Sequence, residues 1–326
     1  MSVLDLVAVL EGQTDREAFE DMVDLAQQSE KLGYTRFWLT EHHNKPTVVS
    51  SATSLLIGHV LEKTESIKVG SGGIMLPNHA PLVVAEQFGT LETIYPNRVD
   101  LGLGRAPGTD RQTARALRRT AEETAHSFPQ DVVELQTYFS SIEEQGAVRA
   151  FPGVNTNLPI YILGSSTSSA MLAAQLGLPY VFAAHFAPRQ LEEALSIYRK
   201  EFKASASLKE PYVIVCVNVI AAETNEQAEA LSTTSDRFYL NVVRNKEELL
   251  QPPVKSMDGN WNKLEERAVR TMSALTIKGD QTTISNQLKR LITMVELDEL
   301  MAVSYIYNQN DRKRSYEILK YAMDDI

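Results

Sequence analysis

The sequence predicts an α/β fold, a (β/α)8 TIM barrel with an insertion between its seventh and eighth strands. Strand-like and helix-like segments alternate along the chain, and eight strand candidates can be counted. Alternating units of this kind predict a parallel sheet, and eight strands are the number that closes a barrel. A length of 326 residues fits one such domain, residues 1–326, that carries an insertion. An open, doubly wound sheet is the rival architecture.

The first half of the chain shows clear helix boundaries. Thr14-Asp15-Arg16-Glu17 has the pattern of a capping box and opens the first helix, which Gly33 ends. Pro81 suits the first position of the third helix, and Pro96 marks its exit. The strand candidates of this half are Val3–Val9, Thr35–Leu39, Ile67–Leu76 and Val99–Leu103.

The second half continues the alternation after a long polar helical region from Asp110 to about Gln145. Its strand candidates are Leu158–Gly164, Tyr180–Ala184, Tyr212–Ala222 and Ala302–Tyr307. Residues 224–279, between the last two strands, are too many for a simple loop, and they include the turn-rich Gln251-Pro252-Pro253. This segment is therefore the predicted insertion.

Composition excludes several classes of function. A net charge of −10 and a pI near 5.2 argue against a nucleic-acid or anionic-membrane partner, which would require a basic surface. The longest apolar run, Tyr212–Ala222, falls short of the ~20 residues of a membrane helix, and the N-terminus lacks the basic start of a signal peptide. We therefore expect a cytoplasmic enzyme. The single cysteine, Cys216, lies in an apolar strand candidate and is expected to be inert core.

Glu41-His42-His43 follows the second strand candidate directly, which in a barrel places it on the face that carries catalytic groups. An imidazole there can exchange protons near neutral pH. Adjacent histidines on an extended segment point in different directions, so a buried, hydrogen-bonded histidine pair is the structural alternative. We expect no metal, because neighbouring positions seldom converge on one ion and no spaced His or Cys cluster accompanies them.

Two glycine-containing segments indicate close approach to a ligand. Gly72-Gly73 lies inside a strand, where it indicates either a bulge or a flat group packed on the backbone. Gly102 to Gly108 superficially has the spacing of a dinucleotide fingerprint, but its third glycine is misplaced and Pro107 breaks the expected helix start. A strand that ends with Arg105 on the catalytic face explains this segment better, since a guanidinium suits a phosphate.

Gly164-Ser165-Ser166-Thr167-Ser168-Ser169 follows the fifth strand candidate and opens a helix. Amides at a helix N-terminus together with small hydroxyls form an anion site, although a simple helix cap is the alternative. Its pairing with Arg105 favours a phosphate site.

Glu41-His42-His43, the segment Gly70–Pro81 and the segment Pro96–Gly108 together make the chain resemble the bacterial luciferase-like flavin monooxygenases over nearly its whole length. The resemblance implies a homodimer that takes reduced FMN from a separate flavin reductase. It also implies that O2 and a small organic substrate react through a C4a-(hydro)peroxyflavin. An F420-dependent hydride-transfer enzyme and a non-catalytic flavin-binding protein are the alternatives.

The resemblance also implies roles for single residues. His42 would assist the oxygen chemistry, with Glu41 and His43 beside it, and the insertion would cover the site as a lid. A cis peptide at Gly72-Gly73 would support the flavin ring. Light emission is not expected, because Gly104 stands where luciferase has a reactive cysteine, and His79 is expected to be structural. The residues implied to bind the cofactor are Gly72, Gly73, Arg105, Gly164, Ser165, Ser166 and Ser169.

Overall fold

The computed structural model describes residues 1–106, 109–117 and 124–326. Eight of its parallel strands form a closed ring in the order β1-β2-β3-β4-β5-β6-β7-β9, with β9 returning to β1. This closure confirms the predicted (β/α)8 barrel and excludes the open sheet. The strands are β1 (Ser2–Asp5), β2 (Arg36–Leu39), β3 (Lys68–Met75), β4 (Val99–Gly104), β5 (Ile160–Gly164), β6 (Tyr180–Ala183), β7 (Val213–Ala221), β8 (Ile277–Gly279) and β9 (Glu299–Val303).

Helices surround the barrel, and the first of them begins as the sequence predicts. Thr14 accepts a hydrogen bond from the Glu17 amide, and the Glu17 carboxylate accepts one from the Thr14 amide, so the capping box is confirmed. The helices are α1 (Asp15–Lys31), α2 (Thr53–Lys63), α3 (Pro81–Ile94), α4 (Arg111–Leu117), α5 (Thr124–Phe139), α6 (Thr167–Leu176), α7 (Leu191–Glu201), α8 (Asn225–Arg244), α9 (Lys263–Met272), α10 (Gln281–Val295) and α11 (Gln309–Asp324).

Several predicted boundaries were wrong. The first strand ends at Asp5 because the chain turns at Val7, which has φ 54° and donates its amide to the Asp5 carboxylate. The last barrel strand starts at Glu299 rather than Ala302, because the Glu299 carboxylate is paired inside the barrel and is not a surface group. The predicted helical region from Asp110 reaches only Phe139, and its residues 118–123, like Pro107 and Gly108, lie outside the described residues.

The predicted insertion between β7 and the last barrel strand has its own secondary structure. It contains α8, α9 and β8. The short strand β8, which the sequence analysis missed, pairs with the end of β7 at Val219–Ala221 and extends the sheet beyond the barrel. Across the described residues, no helix combines the length and the apolar character needed to cross a membrane.

The N-terminal end of the barrel interior contains a buried ion network centred on Arg36. Its guanidinium lies 2.7 Å from Asp100 and 2.9 Å from Glu299. It also donates to the Tyr161 hydroxyl, while Trp38 donates to Asp100. Burial alone would lower the pKa of Arg36, but the two carboxylates raise it, so the residue stays charged. These acidic partners come from alternate barrel strands, which share one layer of side chains inside such a barrel.

Replacing Arg36 tests how much the barrel depends on this network. We expect Arg36→Met to lower the free energy of unfolding by about 3–5 kcal/mol, because it leaves two buried carboxylates without a counter-charge. Urea denaturation followed by circular dichroism measures the change. Arg16→Met is the matched control, since the Arg16–Glu20 pair is solvent-exposed and should contribute little. Equal, small changes in both variants would contradict this account of the barrel interior.

Candidate active site at the barrel mouth

Glu41, just after β2, is the centre of a hydrogen-bond network at the C-terminal end of the barrel. One carboxylate oxygen accepts from His43 Nε2 at 2.8 Å and from His79 Nε2 at 2.9 Å, and the Asn78 amide donates to the same oxygen at 3.3 Å. The other oxygen accepts from the Met75 backbone amide. Burial would raise the pKa of Glu41, but these hydrogen bonds outweigh it and hold the pKa at about 2. Glu41 is therefore an ionised anchor that joins the loop after β2 to the loop after β3.

The same cluster has a composition that a metal ion can use. Ligand atoms of Glu41, His43 and His79 all lie within 4.8 Å of one another. The prediction that no spaced histidine accompanies Glu41-His42-His43 was wrong, because His79 joins Glu41 and His43 in this cluster. Histidine and carboxylate are ligands of Zn²⁺, but both Nε2 atoms already lie at hydrogen-bond distance from one Glu41 oxygen. Hydrogen bonding accounts for the arrangement, and we assign the cluster that structural role.

His42 points away from this network, as adjacent positions on an extended segment predict. Its Nδ1 lies 3.2 Å from the Thr40 hydroxyl, which in turn lies 3.1 Å from the Ser50 hydroxyl. Burial, together with the positive charge of Lys45, lowers the pKa of His42 to about 4. At neutral pH His42 is thus an uncharged imidazole that can donate or accept a hydrogen bond.

His185, just after β6, is a functional candidate that the sequence analysis missed. It is buried, and its Nδ1 has no hydrogen-bond partner within the described part of the chain. Burial lowers the pKa of His185 to about 4, against the opposing effect of the Cys216 carbonyl, and the nearby His42 lowers it further. Tyr239 of α8 donates to the His185 carbonyl at 2.5 Å, so the insertion contacts the barrel mouth. The sequence signal that could have identified His185 is a histidine that directly follows a strand candidate.

Cys216 itself conforms to its predicted role. It is buried within β7, and burial raises the pKa of its thiol. A buried thiol of raised pKa is unreactive.

Gly72 and Gly73 lie where β3 bulges, since the pairing of β3 with β4 shifts register between Gly72 and Ile74. The peptide bond between the two glycines is cis, as the resemblance implies. A Cβ atom at Gly72 would overlap Leu4, and one at Gly73 would come 2.6 Å from the Gly102 carbonyl oxygen. Only backbone fits at this point of the strand.

Arg105, just after β4, has an exposed guanidinium that donates to the Ser168 hydroxyl at 3.2 Å. Ser168 therefore joins the candidate site, although it was absent from the predicted set. Ser166 caps α6 by accepting from the Ser169 amide, so the simple cap predicted as the alternative is present as well. Ser169 is mostly buried and bonds to the Tyr180 hydroxyl at 2.9 Å, which positions the start of the helix.

A cavity of about 240 Å³ lies beside this helix start. Of the predicted phosphate-binding residues, Arg105 and Ser169 line it, whereas Ser165 lines a different groove. Gly164 is required for the shape of the turn, because a Cβ atom there would overlap Ser169. A local cation, small hydroxyls and helix N-terminal amides together make this cavity suited to an anion. The described residues that line it are Arg105, Phe128, Pro129, Leu163, Ser168, Ser169 and Leu172.

Two solved structures of less than 25% sequence identity share the fold of this chain. Diketocamphane monooxygenase in complex with FMN has a TM-score of 0.73 at 16% identity over 98% of this chain and 96% of its own. A secondary alcohol dehydrogenase with an F420-acetone adduct has a TM-score of 0.70 at 13% identity over 98% of both chains. A trigonelline monooxygenase of Acinetobacter baylyi, described as flavin-dependent and as an oxygenase component, is 21% identical over 71% of this chain and 67% of its own.

The more similar proteins identify the family. Apo-MsnO8 has a TM-score of 0.92 at 31% identity, over 99% of this chain and 98% of its own. N-acetyl-S-alkylcysteine monooxygenase of Bacillus subtilis is 30% identical over 99% of this chain and 98% of its own. A luciferase-like monooxygenase of Escherichia coli K12 is 46% identical over 99% of this chain and 96% of its own. The family profile described as luciferase-like monooxygenase matches residues 1–294, and the chain therefore belongs to the luciferase-like monooxygenase family.

Proposed function

We propose that the protein is the oxygenase component of a two-component, FMN-dependent monooxygenase acting on a small organic substrate. The observation that carries the proposal is the Arg105–Ser168 pair at the start of α6, beside a cavity that suits the phosphate of FMN. When bound, reduced FMN supplies the electrons with which O2 is activated. A separate flavin reductase would supply it, as the name of the trigonelline oxygenase component suggests for that relative.

The residues present fit this cofactor. Arg105 forms no ion pair within the described residues, and its hydrogen bond to a neutral hydroxyl leaves its charge available for a phosphate. The Gly72-Gly73 stretch of β3 is the segment that the resemblance to the family assigns to the flavin ring. Arg105, Ser168 and the amides of α6 would hold the phosphate, and Gly72-Gly73 would support the ring.

The barrel mouth would control water and protons around the reacting groups. His42 and His185 are both uncharged at neutral pH, so each can hydrogen-bond to a ligand without a charge beside it. The insertion, through Tyr239 on α8, contacts the loop that carries His185 and would act as the lid that excludes water. A homodimer stays a prediction from the resemblance.

Arg105→Ala tests the assignment of the phosphate site. We expect it to weaken FMN binding by about 10- to 100-fold, the range of one lost charge-assisted contact, while riboflavin binding changes little because riboflavin has no phosphate. Flavin fluorescence quenching measures both constants, and Arg149→Ala, at another exposed arginine, is the control. Equal losses for FMN and riboflavin would refute the site. Preferential binding of F420 by the wild type would favour the hydride-transfer alternative.

Rapid mixing with oxygen tests the reaction class. Protein loaded with anaerobically reduced FMN is mixed with oxygenated buffer, and the flavin spectrum is followed in time. We expect a long-lived transient distinct from reduced and oxidised flavin, with a shorter lifetime in His42→Ala because the uncharged imidazole at the barrel mouth is lost. Immediate reoxidation in the wild type would contradict monooxygenase chemistry. A transient whose lifetime His42→Ala leaves unchanged would contradict the role of His42.

The protonation states of His42 and His185 can be measured directly. We expect His42 and His185 to titrate with midpoints near pH 4 in NMR spectra of ¹⁵N-histidine-labelled protein, because burial disfavours the imidazolium. An unfolded histidine titrates near pH 6.5, so the stability that these residues contribute is present above that pH and is lost as the pH falls towards 4. Midpoints near 6.5 would show that both sites are hydrated. Single His→Asn variants assign the resonances.

A further inference from the structure

A second and larger groove lies between the insertion and the barrel. It has a volume of about 620 Å³ and separates α9 from the 3₁₀ turn Pro188–Gln190 that follows β6. This volume is within the range of sites that bind small organic molecules. The described residues that line it are Ser165, Phe186, Ala187, Pro188, Arg189, Gln190, Leu264, Arg267, Ala268, Thr271 and Met272.

The walls of this groove carry apolar surface that the fold leaves uncovered. Leu264 on α9 is 80% exposed and Phe186 is 45% exposed, although both are large apolar side chains. Val269 is the residue of α9 that is buried, so most of this short amphipathic helix has no partner in the core. The Phe186 ring packs edge-on against His185 with centroids 4.8 Å apart, which places the groove next to the barrel mouth.

Two arginines of the groove differ from their neighbours in having no partner. Within the described residues, the guanidinium groups of Arg189 and Arg267 make neither an ion pair nor a hydrogen bond. No acidic residue lines this groove, and Glu192 lines the adjoining groove that the same two arginines border. By contrast, Arg270 on the same helix pairs with Asp236, and Arg244 on α8 pairs with Glu265. Two exposed guanidinium groups thus lie beside an apolar wall in a chain with a net charge of −10.

We propose that this groove binds a small organic anion, with a carboxylate or sulfonate against Arg189 and Arg267 and an apolar body against Phe186 and Leu264. A guanidinium fork matches such oxyanions, and the exposed apolar side chains would bury the rest of the molecule. Ser165 lines the groove, while Ser168 and Ser169 line the cavity assigned to the FMN phosphate. The anion would thus lie next to the cofactor. The idea that this anion is the enzyme's substrate rests on the proposed function. The binding of an anion in the groove does not depend on it.

Two fluorescent probes of similar apolar body test the groove in flavin-free protein. Anilinonaphthalene sulfonate carries an anion, and N-phenylnaphthylamine is its neutral counterpart. We expect Arg189→Ala and Arg267→Ala each to weaken sulfonate binding roughly 5- to 20-fold, as for a lost contact to an exposed charge, without changing the neutral probe. Leu264→Ser should weaken both probes. Arg149→Ala is the matched control, since Arg149 is exposed and does not line the groove.

Either of two probe results would overturn the proposal: unchanged sulfonate binding in both arginine variants, or equal losses of the charged and the neutral probe. A light-scattering comparison of Leu264→Ser with the wild type gives a third result that would overturn it. A changed molecular mass would make the groove an interface between copies of the chain. FMN binding is measured in the same variants and should be unchanged, because Arg105 holds the phosphate elsewhere. Loss of sulfonate binding with normal FMN binding supports the groove, whereas a wild type that binds the sulfonate but not FMN would refute only the proposed function.

Discussion

The pairing of Arg36 with Asp100 and Glu299 is the constraint on which the barrel mouth depends. A charged guanidinium inside a barrel is stable only if carboxylates surround it, and these come from two other barrel strands. Arg36 is the first residue of β2, so the network fixes where that strand starts in the barrel. A one-residue shift of β2 would move Arg36 out of the interior and would turn every following side chain to the other face. The position of Glu41, five residues further, therefore depends on a contact at the opposite end of the barrel.

At the barrel mouth, Glu41 is a second buried charge that fixes the position of its neighbours. Its four hydrogen bonds join the end of β2 to the segment that follows β3, and they engage both His43 and His79. Because successive side chains of an extended segment alternate, holding His43 on one side directs His42 to the other. The ionised carboxylate thus selects which histidine of the adjacent pair faces away from the network. Glu41 and His43 are thus engaged with each other, whereas the His42 imidazole lies outside their network.

Local signals in the sequence were sufficient for much of the fold and for part of the site. The capping box at Thr14 was readable because it depends on residues three apart, and the Gly72-Gly73 bulge was readable because paired glycines deprive a strand of side-chain packing. The sequence could not show that Ser168 and Ser165 line different grooves, because that depends on the direction of the turn after β5. The sequence did not indicate that His79 contacts Glu41 or that His185 is a candidate site residue, for a similar reason. Their partners lie far away in sequence and meet them only when the barrel closes.

Three exposed arginines line the cavity and the groove beside the start of α6. A net charge of −10 disfavours the approach of anions in general, yet Arg105, Arg189 and Arg267 lack ion-pair partners within the described residues and all lie near the start of α6. Unpaired cations in a cleft raise the local concentration of anionic ligands, and the low dielectric constant of the surrounding apolar walls strengthens their field. Arg105 lines the cavity beside the start of α6, and the other two arginines line the groove that Ser165 borders. Two separate cationic sites of this kind suit two different anions, a cofactor phosphate and the carboxylate or sulfonate of the proposed ligand.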